Sequence, residues 1–107
     1  MAANYTSVDC VESWVTGHHI YKKIWTPVIG EVLSCKRERG NPTDIWAVGV
    51  FKHQKLVGHV PRELANRFSL ALRDGASITA RITGKRENKR RRGLEVPVTY
   101  QIDTNTS

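Results

Sequence analysis

GNPTDIWAVGVFKHQKLVGHVPREL, residues 40–64, decides how the chain is read. Gly40-Asn41-Pro42 is a turn signal, and the proline drives Asn41 away from helical backbone angles. Asp44 follows, a residue whose carboxylate folds back onto nearby backbone N–H groups. Ile45–Phe51 is apolar almost throughout, short for a helix and rich in β-formers, so it reads as a buried strand. His53-Gln54-Lys55 makes a turn and Leu56–Val60 returns, completing a hairpin. Pro61 suits a first helical position, where its missing N–H costs nothing. Leu64, Ala65, Phe68, Leu70, Ala71 and Leu72 give the next segment one apolar face, and Asp74-Gly75 ends it. A helix is therefore expected over about 61–73.

On the N-terminal side, Val11–His19 is rich in β-branched and aromatic residues up to Gly17 and reads as a strand. Thr26-Pro27 interrupts the chain. Val28, Ile29, Val32 and Leu33 then lead through Cys35 towards the charged run KRERGNP, which suggests a second strand. On the C-terminal side, Ile78, Ala80 and Ile82 alternate with polar residues, and so do Leu94, Val96, Val98 and Tyr100. Between these two strands lies KRENKRRRG, the basic tip of a long hairpin, and Pro97 argues for an edge position or a bulge. The sum is about six strands and one helix, a mainly β domain. A closed or nearly closed barrel would remove the sheet edges that so short a chain cannot otherwise cover. The domain is expected over residues 11–102, between loose polar tails at 1–10 and 103–107.

The chain has 107 residues, enough for one domain with a modest core. Its formal net charge is +7. Between Arg81 and Arg92 lie seven basic residues (Arg81, Lys85, Arg86, Lys89, Arg90, Arg91 and Arg92) against Glu87 alone, so nearly all of the excess is local. That concentration points to a polyanionic partner. The same run, 85–92, would serve as a nuclear import signal, with the cytoplasm as the alternative. Cys10 and Cys35 lack zinc-ligand spacing and read as idle or buried thiols. No apolar stretch is long enough to span a bilayer, so a soluble intracellular protein without a membrane partner is expected.

Catalysis finds little support. Acidic residues are scattered, and P-loop, Gly-x-Ser-x-Gly and Cys/His signatures are missing, so a binding module is expected and no cofactor. Four histidines do not make a metal site: on a strand, His18 and His19 would point to opposite faces. Gly17-His18-His19-Ile20-Tyr21 offers a different chemistry, because Tyr21 or His19 can stack on an unpaired base.

Three segments carry a family resemblance: Val15-Thr16-Gly17 with Tyr21 following, Arg37 to Val48 with Asn41-Pro42-Thr43-Asp44 at its centre, and Val57-Gly58-His59-Val60-Pro61-Arg62-Glu63-Leu64-Ala65. Together they resemble the HIRAN domain, over about Trp14 to Ile102. The family occurs alone and fused to SWI/SNF-type translocases. The resemblance implies a small OB-like β-barrel that captures the 3′ end of single-stranded DNA, as in DNA repair or replication-fork processing. It implies that Tyr21 stacks on a base with His19 beside it, that Asn41 and Asp44 recognise the terminal hydroxyl, and that His59 and Arg62 face phosphate. The sequence departs from the pattern at Ile20 and Leu94, which stand where further stacking aromatics are expected. The basic tip, Lys85, Arg86, Lys89, Arg90, Arg91 and Arg92, is an addition that could offset lost stacking with charge.

Three readings stay open on the residues. One is a single-stranded DNA binder preferring a 3′ end, with RNA as a competing strand and a translocase or repair protein as partner. Another is a general polyanion binder working through the 85–92 loop. The last is a protein-interaction module.

Overall fold

The computed structural model describes residues 5–89 and 93–106. The chain runs β1 (Tyr5–Val15), α1 (His18–Tyr21), β2 (Val32–Arg37), β3 (Val48–Lys52), β4 (Lys55–His59), α2 (Arg62–Arg73), β5 (Ser77–Ile82), β6 (Glu87–Lys89) and β7 (Gly93–Thr106). All strand pairs are antiparallel, in the order β1-β7-β5-β2-β3-β4, with the short β6 paired to β7 off this path. The two ends of that order meet. Thr16 and His59 exchange backbone hydrogen bonds of 2.8 and 2.9 Å, joining the chain just past β1 to the last residue of β4. Gly58 permits the approach: a Cβ there would collide with the Val15 side chain and lie 2.9 Å from the Thr16 carbonyl oxygen.

Alternation builds the interior. Ile78, Ala80 and Ile82 of β5 lie beside Ile102, Tyr100 and Val98 of β7 on the inner face of the sheet, in a core that also takes Val96 from β7, Leu33 and Cys35 from β2 and Val48 and Val50 from β3. α2 lays Ala65 and Phe68 onto this core, the Phe68 ring meeting Tyr100 edge-on at 5.1 Å. The Tyr100 hydroxyl donates to the Trp14 carbonyl (2.6 Å). Burial raises the Tyr100 phenol well above its ordinary value and pushes the Cys35 thiol up to about 12, so Cys35 is a core residue; Cys10 is exposed.

Several expectations need correction. The apolar run at 45–51 enters the sheet only at Val48, because the Asp44 carboxylate captures the Trp46 N–H (2.9 Å) and the Asp44 carbonyl accepts from Ala47 (3.2 Å). Ile45 and Trp46 are left outside. The second strand likewise starts late, at Val32, with Val28 and Ile29 exposed and Gly30 at φ +93°. The hairpin turn is tighter than expected: Lys52 pairs with Lys55, and His53 and Gln54 both take positive φ, as a two-residue turn matched to strand twist requires. Pro61 is the N-cap, its ψ of 146° keeping it outside α2. At the far end, Gly75 (φ +100°) and Ala76 donate to Leu72 and Ala71 carbonyls and close α2.

His18–Tyr21 is a helical turn and not the end of a strand, since Gly17 adopts φ +77° and turns the chain out of β1. The opposite-face argument for His18 and His19 therefore lapses. The polar termini are not loose over Tyr5–Cys10 and Asp103–Thr106, which lie in β1 and β7 and continue their ladder residue for residue. Polarity marked them as tails, but two polar β-formers can extend a ladder begun in the core. Pro97 lies in β7, between two neighbours and not at an edge. Its carbonyl accepts from Thr83 (3.0 Å), so its ring nitrogen faces the gap where β5 pairing ends after Ile82 and β6 pairing has not begun.

Candidate nucleic-acid interface

The loop after β2 is organised by its own side chains. The Asn41 Oδ1 accepts the Thr43 and Asp44 N–H groups (2.9 and 3.0 Å), and its Nδ2 donates to Glu38 Oε2 (2.9 Å). Asn41 is thus occupied in shaping the loop. Asp44 keeps one oxygen for the Trp46 N–H and turns the other towards Arg62 Nε at 3.9 Å. That separation is long and Arg62 is 80% exposed, so the pair is loose and its guanidinium can leave for another anion.

The β2–β3–β4 register brings this loop against the end of β4. Glu38 Oε1 lies 3.0 Å from His59 Nε2, a contact that spans 21 residues of sequence. With Nε2–H donated to the carboxylate, the Nδ1 side of the ring lies beside Gly17. Asn41, Asp44, His59 and Arg62 line one hollow of about 230 Å³ with Thr16, Val60 and Ala65. The start of α2 borders it. Pro61 supplies no side-chain cap, and its carbonyl accepts from Leu64 and Ala65. The first amides of a helix are a favourable place for an anion.

Tyr21 does not line this hollow. It stands half-buried on α1, where burial, with Glu38 adding to it, raises the phenol above its ordinary value. Glu38 therefore joins Asn41 to His59, and sequence reasoning missed it. Within the run KRERGNP it looks like one solvated charge among several. Its spacing to Asn41 was the available signal, but its meeting with His59 exists only in the tertiary register.

The basic residues divide. Lys85 and Arg86 are exposed, and Arg86 Nη1 lies 3.2 Å from Nε2 of the buried His18, which meets Trp25 edge-on at 5.4 Å. That contact ties the base of the hairpin to the helical turn bearing Tyr21. Lys89 lies in β6 and His19 in α1, but their side chains fall outside the described residues, as do Arg90, Arg91 and Arg92 entirely. Leu94 is half-buried at the start of β7 and Ile20 is 67% exposed on α1.

The sequence matches the HIRAN domain family over residues 8–101, from Val8 in β1 to Gln101 in β7. The chain belongs to the HIRAN domain family. This HIRAN domain is similar in structure to the HIRAN domain of human HLTF, with a TM-score of 0.74 at 19% identity, covering 92% of this chain and 78% of that one. It is also similar to a protein from Lactobacillus plantarum, with a TM-score of 0.63 at 19% identity, covering 95% of this chain and all of that one. At such identity the likeness is one of fold. A search of curated proteins found no match.

Proposed function

We propose that this HIRAN domain is a nucleic-acid-binding module that holds the 3′ end of single-stranded DNA. Membership in the family supports the nucleic-acid part. The observation that carries the end preference is Asp44: one carboxylate oxygen is fixed by the Trp46 N–H, while the other faces a hollow shared with His59 and Arg62. A carboxylate accepts a hydrogen bond from a terminal hydroxyl and repels a terminal phosphate. Arg62 and the first amides of α2 stand where the preceding phosphate would lie. Glu38 and Asn41 hold the loop and the His59 ring in place.

The test compares a short oligonucleotide ending in a 3′ hydroxyl with the same oligonucleotide ending in a 3′ phosphate. Hydrogen bonds to charged groups predict a preference for the hydroxyl of about 10-fold or more. Asp44→Ala should remove that preference and leave phosphate-ended binding nearly unchanged. Equal binding of both by the native chain would sink the end reading.

A second reading rests on the concentration of charge at 81–92. There the hairpin tip grips any polyanion, and Asp44→Ala does nothing. Neutralising Arg90, Arg91 and Arg92 would then abolish binding. In the end-binding reading it instead flattens the salt dependence, by a log–log slope of about 0.7 for each single-strand phosphate no longer neutralised.

A further inference from the structure

Beyond Asp44 the groove continues. A second hollow of about 220 Å³ is lined by Thr43, Asp44, Trp46, Arg62, Ala65 and Asn66. It shares Thr43, Asp44, Arg62 and Ala65 with the first. The Asp44–Arg62 pair is thus a divide with His59 on one side and Trp46 on the other. We infer that Trp46 is a base-stacking platform: the 3′-terminal nucleobase of a bound single strand lies on its indole face, on the α2 side of the groove. This deepens the end-binding reading and rests on it.

Three features support the assignment. Trp46 is 36% exposed although large aromatic rings are ordinarily covered, and Trp25 by comparison is 1% exposed. The backbone that carries the ring is also held in place. Asn41 fixes the Thr43 and Asp44 amides, Asp44 fixes the Trp46 amide, and Ala47 is already buried against the core. A rigid mounting keeps the entropy lost on stacking small. Finally, the surroundings suit a base. Ala65 leaves the space over α2 unfilled, Asn66 offers an amide that can both donate and accept at a base edge, and Arg62 is an exposed cation at the rim.

The geometry is consistent with the carboxylate's part. A terminal nucleotide whose hydroxyl reaches Asp44 and whose phosphate reaches Arg62 projects its base to one side of the divide. On the His59 side the imidazole is already engaged by Glu38. On the other side lies an open indole. The ring so placed makes up for Ile20 and Leu94, which offer no π-face at the positions where the family resemblance implied aromatics.

The experiment measures affinity of the full chain for two oligonucleotides with a 3′ hydroxyl, identical except that one has an abasic terminal nucleotide, and follows tryptophan emission. The native chain should bind the abasic strand roughly 5- to 100-fold more weakly, and only the base-bearing strand should quench emission strongly. Trp46→Ala should bind both strands alike, at the native chain's abasic level, while Trp46→Phe restores part of the difference. Trp46→Ala should keep the hydroxyl-over-phosphate preference on the abasic strand, because Asp44 is intact. Undiminished base discrimination in Trp46→Ala, with the hydroxyl preference retained, would overturn the platform and leave the end reading standing. Absence of the hydroxyl preference in the native chain itself would overturn both.

Discussion

Two loops flank β2, and each holds a tryptophan and a carboxylate. In residues 22–31 the Glu31 carboxylate accepts the Trp25 indole N–H (2.9 Å) and the Val28 amide (3.0 Å), and pairs with Lys52 at 2.9 Å. In residues 38–47 the Asp44 carboxylate accepts the backbone N–H of Trp46 instead. The consequence is opposite. Where the acid takes the indole, the ring is drawn inward and Trp25 becomes core. Where it takes the backbone, the ring is turned outward beside a loose ion pair. One arrangement builds the domain, and the other builds a surface.

The comparison is broken most readily by exchanging each tryptophan for alanine. Trp25→Ala should cost about 3–5 kcal/mol of stability in denaturant unfolding, the range for emptying a large aromatic site. Trp46→Ala should change stability by no more than about 0.5 kcal/mol. If the two losses were alike, Trp46 would be a packing residue and the contrast would fail.

Glu31→Ala is next in size. It leaves the indole N–H of a buried ring without its acceptor, at a cost of about 1–3 kcal/mol. Glu31 also predicts an acid dependence. Burial raises its pKa, but the hydrogen bonds from Lys52, Val28 and Trp25, with the Lys52 charge, lower it further, and the net shift is below the ordinary 4.5. Its contribution is therefore full above the unfolded value and is lost as pH falls through the lower folded one. Between about pH 7 and about pH 3 the native chain should lose more stability than Glu31→Gln. Parallel pH curves would show that Glu31 does not stabilise its loop as a carboxylate.

Asn41→Ala sharpens the comparison at its smaller end. The two amides that it releases lie at Thr43, which is exposed, and Asp44, which is half-buried, so water can replace much of the lost bonding. The expected stability loss is about 0.5–1.5 kcal/mol. Oligonucleotide affinity should fall by a larger factor than this stability loss would suggest, because the loop that presents both Asp44 and Trp46 is loosened. An affinity unchanged within error would mean that the loop needs no such brace.

The hairpin of β3 and β4, the helix after Pro61, and the paired alternations of β5 and β7 could all be read from local pattern. In these segments a single periodicity spans the element, and burial follows it. The segments that misled were those where a side chain overrode the pattern. Ile45-Trp46 continues an apolar run and is apolar enough to be core, yet one carboxylate-to-amide bond keeps it outside. Gly17 ends β1 through a positive φ that no β-propensity reports, so His18 to Tyr21 coil where a strand was expected. The segments at Tyr5–Cys10 and Asp103–Thr106 looked like tails because each alone has little to bury; only when β1 and β7 lie side by side do they form a ladder. Among the site residues, Asn41, Asp44, His59 and Arg62 were visible as a motif. Glu38 was not, since its partner His59 lies beyond a whole hairpin.

By itself the sequence determined the strand-rich class, the position of α2, the turn at Asn41 to Asp44, the family, and the concentration of charge near residue 90. These depend on neighbours within a few residues, where steric preference and periodicity act directly. Tertiary structure alone decided that Gly58 lets β4 reach the end of β1, that Glu38 meets His59, and that one tryptophan is sealed while the other is presented. Each depends on which groups the register places within hydrogen-bonding distance, and register is a property of paired strands that no single segment contains.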